Sequence, residues 1–218
     1  MDQVIDLTLK HPSKILIYGP SNSGKSTFVE KLLLYMKELF DIYFDKIFYI
    51  SENYFPKFQY IHGRFINKLK DINKEFLDKL DNNQNKLIII DDKMHSATND
   101  ILISDLFTKL SHHKNITVIM LVQNLFPKSK YMRDISTNST YIVLMSNPRE
   151  TLQIKTLSSQ IDGTNSNFIF NCYKDATKDK PFSYLFLDFD QNTPENVRVR
   201  TNIFPNEEQS AYVKLSQI

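Results

Sequence analysis

The chain has only four glycines, and two of them sit five residues apart in GPSNSGKST, the run Gly19, Pro20, Ser21, Asn22, Ser23, Gly24, Lys25, Ser26 and Thr27. Gly19, Gly24, Lys25 and Ser26 match G-x-x-x-x-G-K-[ST], a loop whose backbone amides wrap phosphate oxygens. Glycine is needed there because any side chain would block the approach of the phosphate. The apolar run ILIY precedes the loop and an amphipathic pattern follows it, so a strand leads in and a helix leads out. A helix starting at Lys25 and running to Phe40 adds its positive dipole end to the amides. Lys25 is placed to reach the outer phosphates, and Ser26 to ligate magnesium. The expected ligands are therefore ATP and Mg²⁺.

A phosphate loop needs a carboxylate for the metal, and LIIIDD supplies one where four apolar residues end in Asp91 and Asp92. Ligands of open α/β sheets bind at such carboxyl ends. Asp91 is assigned to the metal together with Ser26, and Asp92 to the water that attacks the γ-phosphate. Neighbouring residues on a strand face opposite ways, so the two roles require the chain to turn at Asp92. Gln123 ends the run ITVIMLVQ, where a neutral side chain can report the state of the γ-phosphate; any strand exit also looks like this. His112 and His113 sit at a helix end, where the dipole accounts for them, and no second His/Cys cluster marks a metal site.

The elements that must position these residues are legible as runs. KILIYG (14–19), KIFYIS (46–51), KLIIIDD (86–92), ITVIMLVQ (116–123) and TYIVLMS (140–146) are near-continuous apolar segments, the mark of strands buried on both faces. Between them, Phe28, Leu32, Tyr35, Met36 and Leu39 recur at helical spacing, as do Leu69, Ile72, Phe76, Leu77 and Leu80, then Leu102, Leu106 and Leu110. SNPRETLQ reads as a further helix start, with Asn147 as cap and Pro148 in the first turn. The fold class is α/β: a mainly parallel central sheet flanked by helices. PFSYLFLDFD and ENVRVRTNIF, joined by QNTP, read as a C-terminal β-hairpin over about 182–204. Residues 1–204 form a single domain on this reading, with 205–218 a polar C-terminal tail that is loose or docks on a neighbour.

Composition sets limits. The chain has 218 residues, 41% of them apolar, enough for one sizeable core. A net charge of +2 gives no general field toward nucleic acid, so any DNA contact is local. One cysteine, Cys172, excludes an internal disulfide and reads as a small buried apolar residue. No apolar run approaches the roughly 20 residues that span a bilayer, which predicts a soluble intracellular protein without membrane contact. Arginine is scarce: Arg64, Arg133, Arg149, Arg198 and Arg200 are the whole set.

Element order narrows the class. KIFYIS lies between the phosphate-loop strand and the LIIIDD strand, which reads as a strand inserted between the two motifs, the additional-strand arrangement of RecA-like P-loop ATPases. A GTPase switch would want glycine where Met94 stands and an [NT]-K-x-D tetrapeptide that does not occur. A nucleotide kinase would want an arginine-rich lid, which five scattered arginines make poorly.

From His112 to Glu150, HHKNITVIMLVQNLFPKSKYMRDISTNSTYIVLMSNPRE resembles the sensor-strand region of viral genome-packaging ATPases of the FtsK/HerA superfamily, those of Polinton (Maverick) elements, adintoviruses and virophages above all. The resemblance extends to GPSNSGKST, LIIIDD and LFLDFDQNTPENVRVRTNIFP, most of the chain. It implies an ATP-driven motor that assembles as a homo-oligomeric ring, often hexameric or pentameric, and pumps double-stranded DNA into a preformed capsid at a capsid vertex protein. The matching setting is the host nucleus, a cytoplasmic viral assembly site or the virion. The same resemblance implies a polar sensor, here Gln123, and an arginine supplied across a subunit interface. Asp92 departs from the glutamate of many relatives, and Glu150 from the aspartate of close ones. For the arginine, Arg133 is the first candidate, Arg149 the second and Arg64 the third; each also fits an ordinary surface residue. DNA candidates are Lys128 and Lys130 in PKSKYMR, with Lys57 and Arg64 in YFPKFQYIHGRF, mixtures of basic and aromatic residues that suit a backbone-tracking loop or a solvated one. A conjugation or chromosome-segregation motor, a nucleoside or nucleotide kinase, and a slow ATP-binding assembly scaffold are the alternatives.

Overall fold

The computed structural model describes residues 5–52, 56–57, 59–91, 101–129, 131–149, 151–178 and 180–214. The five apolar runs all form strands: β1 (Lys14–Tyr18), β2 (Lys46–Ile50), β5 (Lys86–Ile90), β6 (Ile116–Val122) and β7 (Tyr141–Met145). A short pair, β3 (Tyr60–Ile61) and β4 (Arg64–Leu69), and three late strands, β8 (Tyr184–Asp188), β9 (Val199–Thr201) and β10 (Ser210–Ala211), complete one ten-stranded sheet in the order β10-β9-β8-β7-β1-β6-β5-β2-β4-β3. Pairing is parallel from β7 through β4, and antiparallel for β3 and for β8 to β10.

The apolar runs are continuous because each strand feeds two cores. Leu16 and Tyr18 of β1, Ile88 and Ile90 of β5, and Val118, Met120 and Val122 of β6 pack on one face. Ile15, Ile17, Leu87, Ile89, Ile119 and Leu121 pack on the other. The second face is covered by α1 (Lys25–Leu34) and α2 (Met36–Leu39), through Phe28, Val29, Leu32, Leu33 and Met36. The first face is covered by α3 (Lys74–Asp78), by α4, and by α5 (Met132–Asn138), α6 (Leu152–Ile161) and α7 (Phe168–Ala176). Helix α4 runs from Ile101–Asp105 through a π-helical Leu106–Leu110 to Ser111–His113, where His112 and His113 end it as expected. Cys172 is buried in α7, and burial pushes its thiol up to about 11, so it behaves as an apolar core residue.

Several expectations are corrected. The strand between β1 and the LIIIDD strand is β6, not KIFYIS; β2 lies beyond β5 on the far side, yet the additional-strand arrangement results all the same. Sequence order does not reveal which strands pair. The helix expected over Lys25 to Phe40 is interrupted at Tyr35 (φ −103°, ψ 17°), whose hydroxyl accepts from Asn206 Nδ2 at 2.7 Å, while His62 Nε2 takes the Leu34 carbonyl at 2.7 Å. Leu69, expected in a helical stripe, ends β4, because parallel pairing with β2 places it beside Ile50. Helix α3 is accordingly short and capped by Asn73, whose Oδ1 accepts from Phe76 N at 2.8 Å. SNPRE does not start a helix: α6 begins at Leu152, and Asn147 Oδ1 instead accepts from Arg149 N at 3.1 Å within a turn. Residues 206–214, expected as part of a tail that is loose or docks on a neighbour, lie against the domain. Strand β10 pairs with β9, Glu207 bonds Lys31 and the Tyr184 hydroxyl, and Lys214 pairs with Asp162 at 2.8 Å.

The expected hairpin is present as β8 and β9, and a buried ion pair fastens it. Arg200 Nη2 meets Asp188 Oδ2 at 2.8 Å with both side chains almost fully buried, and the guanidinium lies 5.1 Å from the Phe186 ring centroid. Burial raises the Asp188 carboxyl above its ordinary value against the pull of Arg200. Arg198 is likewise structural, its Nη1 donating to Asp188 O at 3.2 Å and Asp190 O at 2.8 Å. Removing one partner of a buried pair strands the other charge. Arg200→Ala is therefore expected to cost about 3–5 kcal/mol in urea unfolding, whereas Lys79→Ala, which breaks an exposed pair with Glu75, is expected to cost under about 1 kcal/mol. Equal losses would contradict a fastening role for Arg200.

Candidate functional site

The phosphate loop leaves the carboxyl end of β1, where Gly19 N donates to Val122 O at 3.1 Å and so ties the loop to β6. Gly24 caps α1 at φ 94°, ψ 12°, a left-handed conformation that side chains rarely take, and no side chain caps the helix. The first turn of α1 holds no acidic residue, so its orphan N–H groups are left for an anion. At Gly19 an added Cβ would stand 2.5 Å from Ser23 Oγ and 2.7 Å from Met145 Cβ, so the loop closes only around glycine. Lys25 Nζ donates to Gly19 O at 2.7 Å and Pro20 O at 2.8 Å, holding its charge over the loop. Ser23 Oγ is buried with no hydrogen-bond partner among the described residues. Ser21, Asn22 and Thr27 are exposed along the loop and the start of α1.

Asp91 follows β5 directly, is buried, and is held at its backbone by Ile50 O, 2.9 Å away. Its Oδ2 accepts from Ser26 Oγ at 3.0 Å and from the Tyr49 hydroxyl at 2.6 Å. The chain thus brings together the two oxygen ligands that the sequence assigned to magnesium. A hydroxyl and a carboxylate converging beside a phosphate loop fit a hard cation whose other ligands are phosphate oxygens and water. Asp92, assigned to the attacking water, lies outside the described residues, as do Lys130 and Glu150.

Gln123 stands one residue past β6, and its Oε1 accepts from Ser21 Oγ at 3.3 Å, which places it against the loop. Arg133 is exposed on the first turn of α5, at a cavity of about 600 Å³ shared with Leu125, Phe126 and Ser129. Arg149 is exposed too, but it lines a cavity of about 590 Å³ with Pro20, Ser21 and Asn22 of its own loop. Its placement is therefore beside the phosphate loop of the same chain. Arg64 is far from both. It opens β4 at the amino ends of the parallel strands, opposite the loop, and its Nε donates to Phe44 O at 3.0 Å. Lys57 and Lys128 are exposed.

Sequence reasoning passed over three contributors. Tyr49, hidden in the apolar run KIFYIS, supplies the second donor to Asp91. Tyr18 and Tyr173 hold Asn147: its N–H donates to Tyr173 Oη at 2.8 Å and its Nδ2 to Tyr18 Oη at 3.3 Å. Burial raises the Tyr173 hydroxyl above its ordinary value, which keeps it protonated. Tyrosine in an apolar run reads as packing; its polar tip is the available signal.

No family model matches the chain, and no curated protein matches it. Solved structures do. The genome packaging NTPase B204 of Sulfolobus turreted icosahedral virus 2, in complex with ATP-gammaS, superposes with a TM-score of 0.56 at 15% identity over 87% of this chain and 95% of that one. The DNA-packaging ATPase B204 of Sulfolobus turreted icosahedral virus gives 0.55 at 14% identity over 94% and 98%. The chain has the RecA-like P-loop ATPase fold. The likeness covers nearly the whole of those chains and most of this one. Among the described residues, no helix of this RecA-like chain is long and apolar enough to cross a membrane.

Tyr49 generates a test of the metal assignment. Groups that orient a metal ligand typically matter 10–100-fold in metal affinity. Tyr49→Phe is expected to raise the Mg²⁺ concentration needed for half-maximal nucleotide binding by about tenfold, with thermal stability changed by only about 1 kcal/mol. An unchanged Mg²⁺ requirement would show that Asp91 does not depend on that hydroxyl.

Proposed function

We propose that the chain is an Mg²⁺-dependent ATPase that drives translocation of double-stranded DNA, packaging a viral genome into a capsid. The observation that carries this reading is the couple of Ser26 and Asp91 beside the uncapped start of α1, set in a fold shared with a genome packaging NTPase. The sequence resemblance to packaging ATPases of the FtsK/HerA superfamily supports the same conclusion.

The roles follow from placement. Lys25 and the loop amides hold the β- and γ-phosphates, and Ser26 with Asp91 holds the metal, which offsets phosphate charge when bound. Asp92 positions the attacking water, and Gln123, linked to the loop through Ser21, senses the γ-phosphate. Arg133, exposed beyond the sensor strand, is the residue offered to a neighbouring subunit of a hexameric or pentameric ring. Arg149 serves its own loop's nucleotide, a change from its first assignment as a second candidate for the neighbour. DNA is contacted through phosphates by exposed lysines such as Lys57 and Lys128, with Lys130 in the same stretch; Arg64, bonded to the Phe44 carbonyl, leaves that set. A motor that tracks any sequence gains from phosphate contacts and loses from base reading. The partners are the capsid vertex and further copies of this chain, at a viral assembly site.

Phosphate release with and without double-stranded DNA, run beside a nucleotide-kinase assay, tests the reading. The expected result is Mg²⁺-dependent release, stimulated by DNA of any sequence and weakened by salt, with Arg133→Ala binding nucleotide normally but hydrolysing on the order of 10³-fold more slowly. Transfer of the phosphoryl group to a nucleoside or nucleotide would make the chain a kinase. Binding without turnover would make it an assembly scaffold.

A further inference from the structure

We propose that Phe182 is the platform on which the base of the bound nucleotide stacks, in the cavity between the phosphate loop and residues 146–149. The inference rests on the nucleotide reading above and extends it from the phosphates to the base.

Topology says on which side of the loop the base must lie. Strand β1 runs between β6 and β7. Asp91 and Gln123, which serve the metal and the outer phosphate, stand at the ends of β5 and β6. A nucleotide whose phosphate tail points toward β5 and β6 extends its base the other way, past β7. The cavity of about 590 Å³ is there, bounded by Pro20, Ser21 and Asn22 on the loop side and by Asn147, Arg149 and Phe182 on the other. Its volume suits a small-molecule site.

Phe182 is built for exposure. The residue is 61% exposed, although it stands two residues before the apolar strand β8, and its backbone is left-handed at φ 62°. That conformation is an outlier for a bulky residue and costs on the order of 1–3 kcal/mol, which a merely packed phenylalanine gives no reason to bear. The ring is held directly over the loop, since a Cβ on Gly24 would lie 2.9 Å from Phe182 Cδ1. Gly24 therefore answers two demands at once: a positive φ, and room for an aromatic side chain.

The backbone around the platform is tied down. Ser146 N donates to Ser183 O at 2.9 Å and Ser183 Oγ to Lys180 O at 2.6 Å, which fixes the residue after Phe182 to the end of β7. Beside Phe182 in the same lining, Asn147 is bound by Tyr18 and Tyr173, and its Oδ1 accepts from Arg149 N. An exposed aromatic beside a phosphate cradle, on a backbone tied at the next residue, offers what a base needs: a flat apolar face with few rotatable bonds to order.

The chain contains no tryptophan, so Phe182→Trp introduces a sole tryptophan at the platform, excited at its red edge apart from the tyrosines. Mg²⁺-ATP is expected to quench it, and Mg²⁺-tripolyphosphate, which has no base, to leave it unchanged. In parallel, Phe182→Ala is expected to weaken ATP binding by roughly tenfold or more, the range of base–aromatic stacking, with tripolyphosphate affinity as in the unaltered chain. Phe182→Tyr is expected to bind ATP normally. Equal ATP affinity in Phe182→Ala, or equal loss for ATP and tripolyphosphate, would overturn the platform while leaving nucleotide binding in place. Failure of the unaltered chain to bind either ligand would instead overturn the nucleotide reading itself.

Discussion

The hydrogen bond between Ser26 and Asp91 joins the first turn of α1 to the end of β5, and β6 runs between the two strands that carry them. Its 3.0 Å therefore depends on two strand registers at once. Val118, Ile119 and Met120 pair with both neighbours, Val118 with Lys14 of β1 on one side and Ile88 of β5 on the other. A slip of one residue in either pairing would exchange the two cores, since alternate side chains face opposite sides, and would also part the hydroxyl from the carboxylate. Fold and site thus rest on the same constraint. The apolar runs that make the sheet cohesive are also what bring both oxygens to one point.

Burying Asp91 is costly unless its charge finds partners. The Tyr49 and Ser26 hydroxyls supply them, and both are neutral donors that a cation can join or displace. The far end of the sheet handles buried charge differently. Asp188 there is matched by a full guanidinium and closed off by Tyr141 and Phe186, a pairing suited to fastening antiparallel strands and not to exchange. The same residue type is met by a fixed charge in one place and by neutral hydroxyls in the other.

Much of this was legible in the sequence. Strands buried on both faces announce themselves as unbroken apolar runs, and the glycines of GPSNSGKST have a backbone requirement that few other patterns share. Pairing partners were not legible. KIFYIS and ITVIMLVQ look alike as strings, and only the packed sheet shows that the second, as β6, separates β1 from β5. The β3–β4 hairpin was read as a loop because its turn, His62 and Gly63 at φ 47° and 77°, joins strands whose apolar pattern is short and weak. Leu69 fits a helical stripe by spacing, yet backbone bonds to a neighbouring strand outweigh local propensity. Tyr49 and Phe182 were passed over because an aromatic residue beside apolar neighbours carries no mark of whether its tip or face is used.

The central claim is that Ser26 and Asp91 form the metal half of a nucleotide site. The most direct measurement is the ATP dissociation constant with and without Mg²⁺, by calorimetry, for the unaltered chain and for Asp91→Asn, which keeps the side chain's shape but removes its charge. The account predicts that Mg²⁺ tightens ATP binding in the unaltered chain and that Asp91→Asn abolishes this gain while still binding metal-free ATP through the loop. An equal Mg²⁺ effect in both proteins would contradict it.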